Sequence, residues 1–140
     1  MIKLKKLPEN ILSRLPSVEN YLNGHPKVIF AYLFGSLSKG VRKPTSDIDI
    51  AVYLERNDNY GEIKLEILRD LSSLLQTDEI DIVILNTASL PLVMNILKGK
   101  KSLVDKEPFT RHAFESLIMR KYFDFSIKES AQLRRRYFHG

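Results

Sequence analysis

The residues best suited to chemistry in this chain are carboxylates. Asp47-Ile48-Asp49-Ile50-Ala51-Val52-Tyr53-Leu54 alternates with the two-residue period of a β-strand. Ile48, Ile50, Val52 and Leu54 share one face, so Asp47 and Asp49 project side by side from the other. In the run Glu79 to Leu85 the same parity sets Asp81 opposite Ile80, Ile82 and Ile84. If the two strands are neighbours in register, three carboxylates converge. Such a cluster repels itself unless one group takes up a proton or cations neutralise it, and oxygen-only ligands favour a hard ion such as Mg²⁺ or Mn²⁺. An isolated Asp-x-Asp on a strand is also ordinary polar surface, so its context has to decide.

The context is a Gly-Ser pair. Phe34-Gly35-Ser36 closes an apolar run, and glycine lets backbone N–H groups approach an anion while the serine hydroxyl adds a donor. By itself Gly-Ser is a common turn, and Lys39-Gly40 with Arg42-Lys43 is a common solvated loop. Together they set positive charge and permissive backbone beside the acidic pair, an arrangement suited to a phosphate.

These side chains need elements to hold them. Ile11, Leu12, Leu15, Val18 and Leu22 recur at helical spacing over residues 9–23, a helix interrupted or kinked at Pro16. Val28 to Phe34 reads as the first strand, Asp47 to Leu54 as the second and Glu79 to Leu85 as the third. Between the last two, Ile63, Ile67, Leu71, Leu74 and Leu75 mark a helix ending near Gln76. Ser89 is the expected N-cap of a short helix through Leu97 with Gly99 at C′; a strand at Lys101–Val104 and a helical region from Phe109 follow. Alternating strands and helices predict an α/β fold, a small mixed β-sheet packed with helices. Tyr53 shares the carboxylate parity and reads as a packed tyrosine or a pocket wall. Phe109, Phe114, Leu117, Ile118, Tyr122 and Phe125 form a stripe expected mainly in the core.

Composition sets outer bounds. At 140 residues the chain is read as one domain, residues 1–140, with 44% hydrophobic and 28% charged residues and no biased tract. No cysteine is present, which excludes thiolate ligands and a cysteine nucleophile. No apolar run reaches the ~20 residues of a membrane span, and the charged start is no signal peptide, so a cytoplasmic protein is expected. The net charge of +5 is concentrated at the two ends: Lys3, Lys5 and Lys6 contribute three, and Lys128, Arg134, Arg135 and Arg136 less Glu129 another three, leaving −1 between them and no long basic groove along the body unless the ends meet in space. Direct nucleic-acid binding is therefore not expected. His25, His112 and His139 have no metal-ligand spacing.

Gly35-Ser36, ten residues, then Asp47-Ile48-Asp49, with Asp81 on a later strand, resembles the DNA polymerase β nucleotidyltransferase superfamily. Leu33-Phe34-Gly35-Ser36-Leu37-Ser38-Lys39-Gly40 and Ser46-Asp47-Ile48-Asp49-Ile50 are similar to the minimal nucleotidyltransferases, the MNT or MntA-type proteins. A later part of the likeness is Asp81-Ile82-Val83-Ile84-Leu85-Asn86, then Gly99, Asp105, Arg111, Phe114-Glu115 and Tyr122-Phe123-Asp124. The resemblance implies a polymerase β-type fold with a catalytic core at about residues 27–86 and a helical C-terminal part at about 108–138. It implies ATP bound near Gly35 and Ser36, with two Mg²⁺ ions, or Mn²⁺, held by Asp47, Asp49 and Asp81. Asp81 is the general-base candidate, and Lys39 is an auxiliary counter-charge where many relatives carry Arg.

The implied acceptor is a protein. MntA-type proteins are antitoxins of type VII systems whose partner is a HEPN-domain (HepT-type) RNase toxin, and the implied reaction moves AMP from ATP to a toxin tyrosine. Two other readings stay open: transfer to a small hydroxylated acceptor such as an aminoglycoside, and neutralisation by occlusion with the carboxylates unused. Apolar faces on the terminal helices leave self-association open as well.

Overall fold

A run of seven apolar and aromatic residues, five of them strong strand formers, makes β1, Val28–Phe34, and the alternating segment makes β2, Ile48–Leu54. Both belong to a computed structural model that describes residues 11–35 and 48–138. β3 spans Ile80–Ile84 and β4 Lys101–Asp105, and the four strands form one sheet in the order β3-β2-β1-β4. β1 is antiparallel to both its neighbours, while β2 and β3 are parallel. A parallel pair needs a crossover, supplied by α2, Tyr60–Leu75. The mixed sheet expected from the sequence is present.

The helices cover both faces. A 3₁₀ turn at Ile11–Arg14 leads into α1, Leu15–Gly24, and α3 and α4 span Leu90–Gly99 and Pro108–Phe138. Leu15, Val18 and Leu22 of α1 join Ile67, Leu71 and Leu75 of α2 over Ile48, Ile50, Val52 and Leu54. On the opposite face Val93, Ile96 and Leu97 of α3 and Ile118 of α4 pack with Phe30, Tyr32 and Ala51. That second face is therefore core too, apart from its carboxylate end. Tyr53 is packed there, its ring stacked 4.7 Å from Phe30 and 4.9 Å from Phe114. Among the described residues no helix is long and apolar enough to cross a membrane.

Three expectations need correction. Pro16 does not kink a helix; it stands at the first turn of α1, where its missing N–H costs nothing. Gly99 is the last residue of α3 rather than C′, and Lys100 is the C-cap in an extended conformation. The C-terminal stripe is core only in part: Ile118 is buried and Phe114 half-buried, but Phe109, Leu117 and Phe125 are exposed. Length explains this, since 31 helical residues run about 46 Å whereas a seven-residue strand covers about 23 Å. The helix outruns the sheet it covers.

A buried polar network fastens α4. The Tyr32 hydroxyl donates to Glu115, which also pairs with Arg111 at 3.0 Å and Lys100 at 3.3 Å, and Arg111 reaches Asp105 at 3.0 Å. Burial alone would raise the Glu115 pKa, but the Tyr32 hydrogen bond and the Lys100 and Arg111 charges outweigh it and hold the carboxyl low. Burial, then the Glu115 bond and charge, push the Tyr32 hydroxyl up.

Two outcomes are expected from denaturant melts. Leu71→Ala, at a fully buried site, costs about 2–5 kcal/mol, while Leu65→Ala, on the exposed side of α2, stays within about 0.5 kcal/mol. Because the Glu115 pKa is depressed on folding, its advantage over Glu115→Gln is complete above the ordinary glutamate value of about 4.3. It disappears as pH falls through the lower folded value, so the stabilities of the two proteins converge in acid.

Candidate functional site

Strand direction gathers the site at one end of the sheet. β1 and β2 are antiparallel, so the end of β1 meets the start of β2, with Phe34 opposite Asp49. β2 and β3 are parallel, so their starts coincide, with Asp49 opposite Asp81. The neighbour relation that sequence parity required for convergence of Asp49 and Asp81 is thus met. Their faces agree with that parity: Ile48, Ile50, Ile80 and Ile82 are buried in the α1/α2 core, Asp49 is half-buried and Asp81 exposed. Asp47, Ser36 and Lys39 lie outside the described residues.

Gly35 completes the described part. It has φ +74°, and a Cβ placed on it would collide with the Asp49 carboxylate, Oδ2 first, with Cγ only 3.2 Å away. Glycine is thus required for its backbone conformation and for the space it leaves. The carboxylate rests against main chain at the turn where the sequence suggested an anion would bind.

Two carboxylates at paired positions of adjacent strands, whose backbones run about 4.8 Å apart, suit a shared hard cation by charge and by donor type. Asp49 and Asp81 therefore fit the divalent ions inferred from the sequence. Asn86, at the end of the Asp81 segment, has a structural part: its side chain receives Leu54 N–H and donates to Leu54 C=O, both at 2.9 Å, extending the β2 ladder.

Other polar clusters lie elsewhere. A cleft of about 750 Å³ opens where β1 begins and β2 ends, opposite the carboxylates, lined by Tyr21, His25, Glu66 and Asp70 among others. His25 is buried there with Nε2 2.7 Å from Glu66 and Nδ1 accepting from Lys27 N–H, a structural histidine as its sequence context suggested. His112 is exposed. The sequence reading did not single out Lys100 or Tyr32. A hydroxyl within the otherwise apolar Val28–Phe34 run was the available signal for Tyr32, since a buried hydroxyl needs a partner.

Comparison with known proteins agrees with this geometry. Residues 17–109 match the family described as Polymerase beta, Nucleotidyltransferase. The chain is 39% identical over 79 residues to the protein adenylyltransferase MntA of Shewanella oneidensis, 56% of this chain and 55% of that relative. The alignment thus spans just over half the length of the curated relative. Among solved structures, a toxin–antitoxin with AMP-PNP superposes with a TM-score of 0.64 at 29% identity, covering 91% of this chain and 96% of that one. A tri-AMPylated Shewanella oneidensis HEPN toxin in complex with MNT antitoxin gives 0.59 at 27% identity, covering 89% and 92%.

The close approach of Gly35 and Asp49 has a direct test in thermal melts. Gly35→Ala is expected to lower Tm, since a left-handed conformation alone costs a non-glycine residue roughly 1–2 kcal/mol before the collision is counted. In an Asp49→Ala background the same change should cost clearly less. Equal costs in both backgrounds would mean that the carboxylate does not rest on the glycine.

Proposed function

This chain belongs to the polymerase β nucleotidyltransferase family, and from that premise we propose that it transfers AMP from ATP to a tyrosine hydroxyl of a HEPN-domain (HepT-type) RNase toxin, as a type VII antitoxin. The observation that carries the reading is the register pairing of Asp49 with Asp81 beside the positive-φ Gly35. The similar proteins support it in kind, being an adenylyltransferase, an assembly holding an ATP analogue and one holding an AMP-modified toxin.

In this reading Asp47, Asp49 and Asp81 would hold two Mg²⁺ ions, which would supply neutralisation of the triphosphate and its pyrophosphate leaving group and acidify the attacking hydroxyl. Gly35 N–H and the Ser36 hydroxyl grip phosphate oxygens, and Lys39 adds a counter-charge. Asp81, exposed beside the ion site, takes the tyrosine proton. The tyrosine oxygen bonds to the α-phosphorus as the bond from that phosphorus to the bridging oxygen breaks. AMP-tyrosine and pyrophosphate result. The reaction draws on ATP and Mg²⁺, which fits the cytoplasm, and the unit of action is residues 1–140 with the core at 27–86.

The test is intact-mass measurement of a co-expressed HEPN partner after incubation with ATP and Mg²⁺. Stepwise gain of AMP is expected with the wild type and none with Asp49→Asn/Asp81→Asn that still folds and binds the partner. Chelation of the metal should stop the gain. A partner neutralised without any change in mass would overturn transfer in favour of occlusion.

A further inference from the structure

The end of the sheet that carries the carboxylates also carries a lysine. Lys101 pairs with Leu33 at the start of β4, so Lys100 stands at the level where β1 gives way to Gly35. At the level of Asp49 the order across the sheet end is Asp81, Asp49, Phe34 and Lys100, on β3, β2, β1 and the residue leading into β4, with Gly35 one position beyond Phe34. Successive strands step by about 4.8 Å. A polyanion lying from the carboxylates past the glycine turn would travel toward the lysine.

Its ammonium is on the same side of the sheet as the carboxylates. Lys100 Nζ is 4.8 Å from the centroid of the Tyr32 ring, which belongs to the face shared by Ala51 and, by alternation, Asp49. Tyr32 pairs with Ala51, so Asp49 is its diagonal neighbour, a spacing of about 7–8 Å. The aromatic face and Glu115 fix the lysine from two sides. The 3.3 Å contact with Glu115 is longer than the 2.7–2.9 Å of a tight charge-assisted bond, and Arg111 holds the same carboxylate at 3.0 Å. An ammonium has three N–H donors, and with about a quarter of this side chain exposed a ligand can reach it.

We propose that Lys100 is a nucleotide-binding residue that engages the distal phosphates of ATP and makes the site select a nucleoside triphosphate over a monophosphate. The proposal rests on the nucleotidyltransferase reading, but it concerns binding and is judged separately. Lys100→Gln removes the charge and shortens the side chain, while the Tyr32 hydroxyl and Arg111 still hold Glu115, so the network that fastens α4 keeps two of its three partners. A structural role alone would weaken every nucleotide alike, whereas a phosphate contact is specific to the longer ligand.

The experiment uses the full chain with its HEPN partner. Calorimetric titration with ATP and with AMP in the presence of Mg²⁺ is compared for the wild type, Lys100→Gln and Lys100→Arg. Lys100→Gln should weaken ATP binding by roughly tenfold or more, as for a lost hydrogen bond between charged groups, with AMP affinity unchanged. Lys100→Arg should restore most of it, and in the transfer assay the effect should fall on the KM for ATP rather than on kcat. Independently of any variant, ATP but not AMP should protect Lys100 of the wild type from acylation by an amine-reactive ester, read by peptide mass. Unchanged ATP affinity in a folded Lys100→Gln, equal loss for ATP and AMP, or acylation of Lys100 indifferent to ATP would overturn the assignment. Absence of AMP transfer by a wild type whose ATP binding still depends on Lys100 would instead count against the function proposed above.

Discussion

The approach of the Asp49 carboxylate to the main chain of Gly35 is the constraint from which the rest of the site follows. A side chain at position 35 would drive the carboxylate away, and an ordinary φ there would send the chain off in another direction. The strand pairing brings Asp49 to the end of β1, directly beside the residue that follows it. A glycine in the left-handed region meets both demands at once. The anion-attracting turn and the cation-attracting carboxylate are thereby brought into contact although their preferences are opposite. That juxtaposition makes sense around a ligand of both signs, a metal-bound phosphate.

Two cores on one sheet keep this geometry rigid. The aliphatic side under α1 and α2 fixes Ile48, Ile50, Ile80 and Ile82, and so fixes the register of the two carboxylate-bearing strands. A slip of one residue would turn every aspartate into the core, which the apolar side forbids. The aromatic side under α3 and α4 is fastened by Phe30, Tyr53 and Phe114, and by the hydrogen bond from Tyr32 to Glu115. A hydroxyl in an apolar strand is costly unless paired. The pairing here recruits a residue 83 positions along the chain and ties the last helix to the central part of the sheet.

Strand parity was legible in the sequence because the apolar residues of the second and third strands alternate without a break, and it set Asp49 and Asp81 each opposite the isoleucines of its own strand. Whether the two strands are neighbours, and in which direction, was not, since period two says nothing of pairing; the parallel crossover supplies both. Helix ends were read less well. Pro16 reads in the sequence as an interruption or kink, yet a proline is equally at home at a helix start, and Gly99 reads as a cap, yet α3 uses it as an ordinary last residue. The fate of the C-terminal stripe was decided by length, and Lys100 by a fold in which β4 returns alongside β1. No local pattern carries either fact.

Asp49 and Asp81 differ in how they meet solvent, and the difference bears on what can be modified. Asp49 is on an inner strand, half-buried against a glycine turn, whereas Asp81 is exposed on β3 at the edge of the sheet. Those two residues would hold a divalent ion with one ligand on an inner strand and one on the exposed edge. In the proposed reaction the inner carboxylate faces the nucleotide, whose position must be tightly defined for in-line displacement. The outer one faces the acceptor. A hydroxyl presented by a folded protein cannot enter a deep pocket; it must be reached at the surface, and an exposed aspartate on an edge strand can reach it there. A small-molecule acceptor would place the opposite demand on the site, an enclosed cavity around the base. The exposure of Asp81 therefore argues for a macromolecular acceptor within this fold.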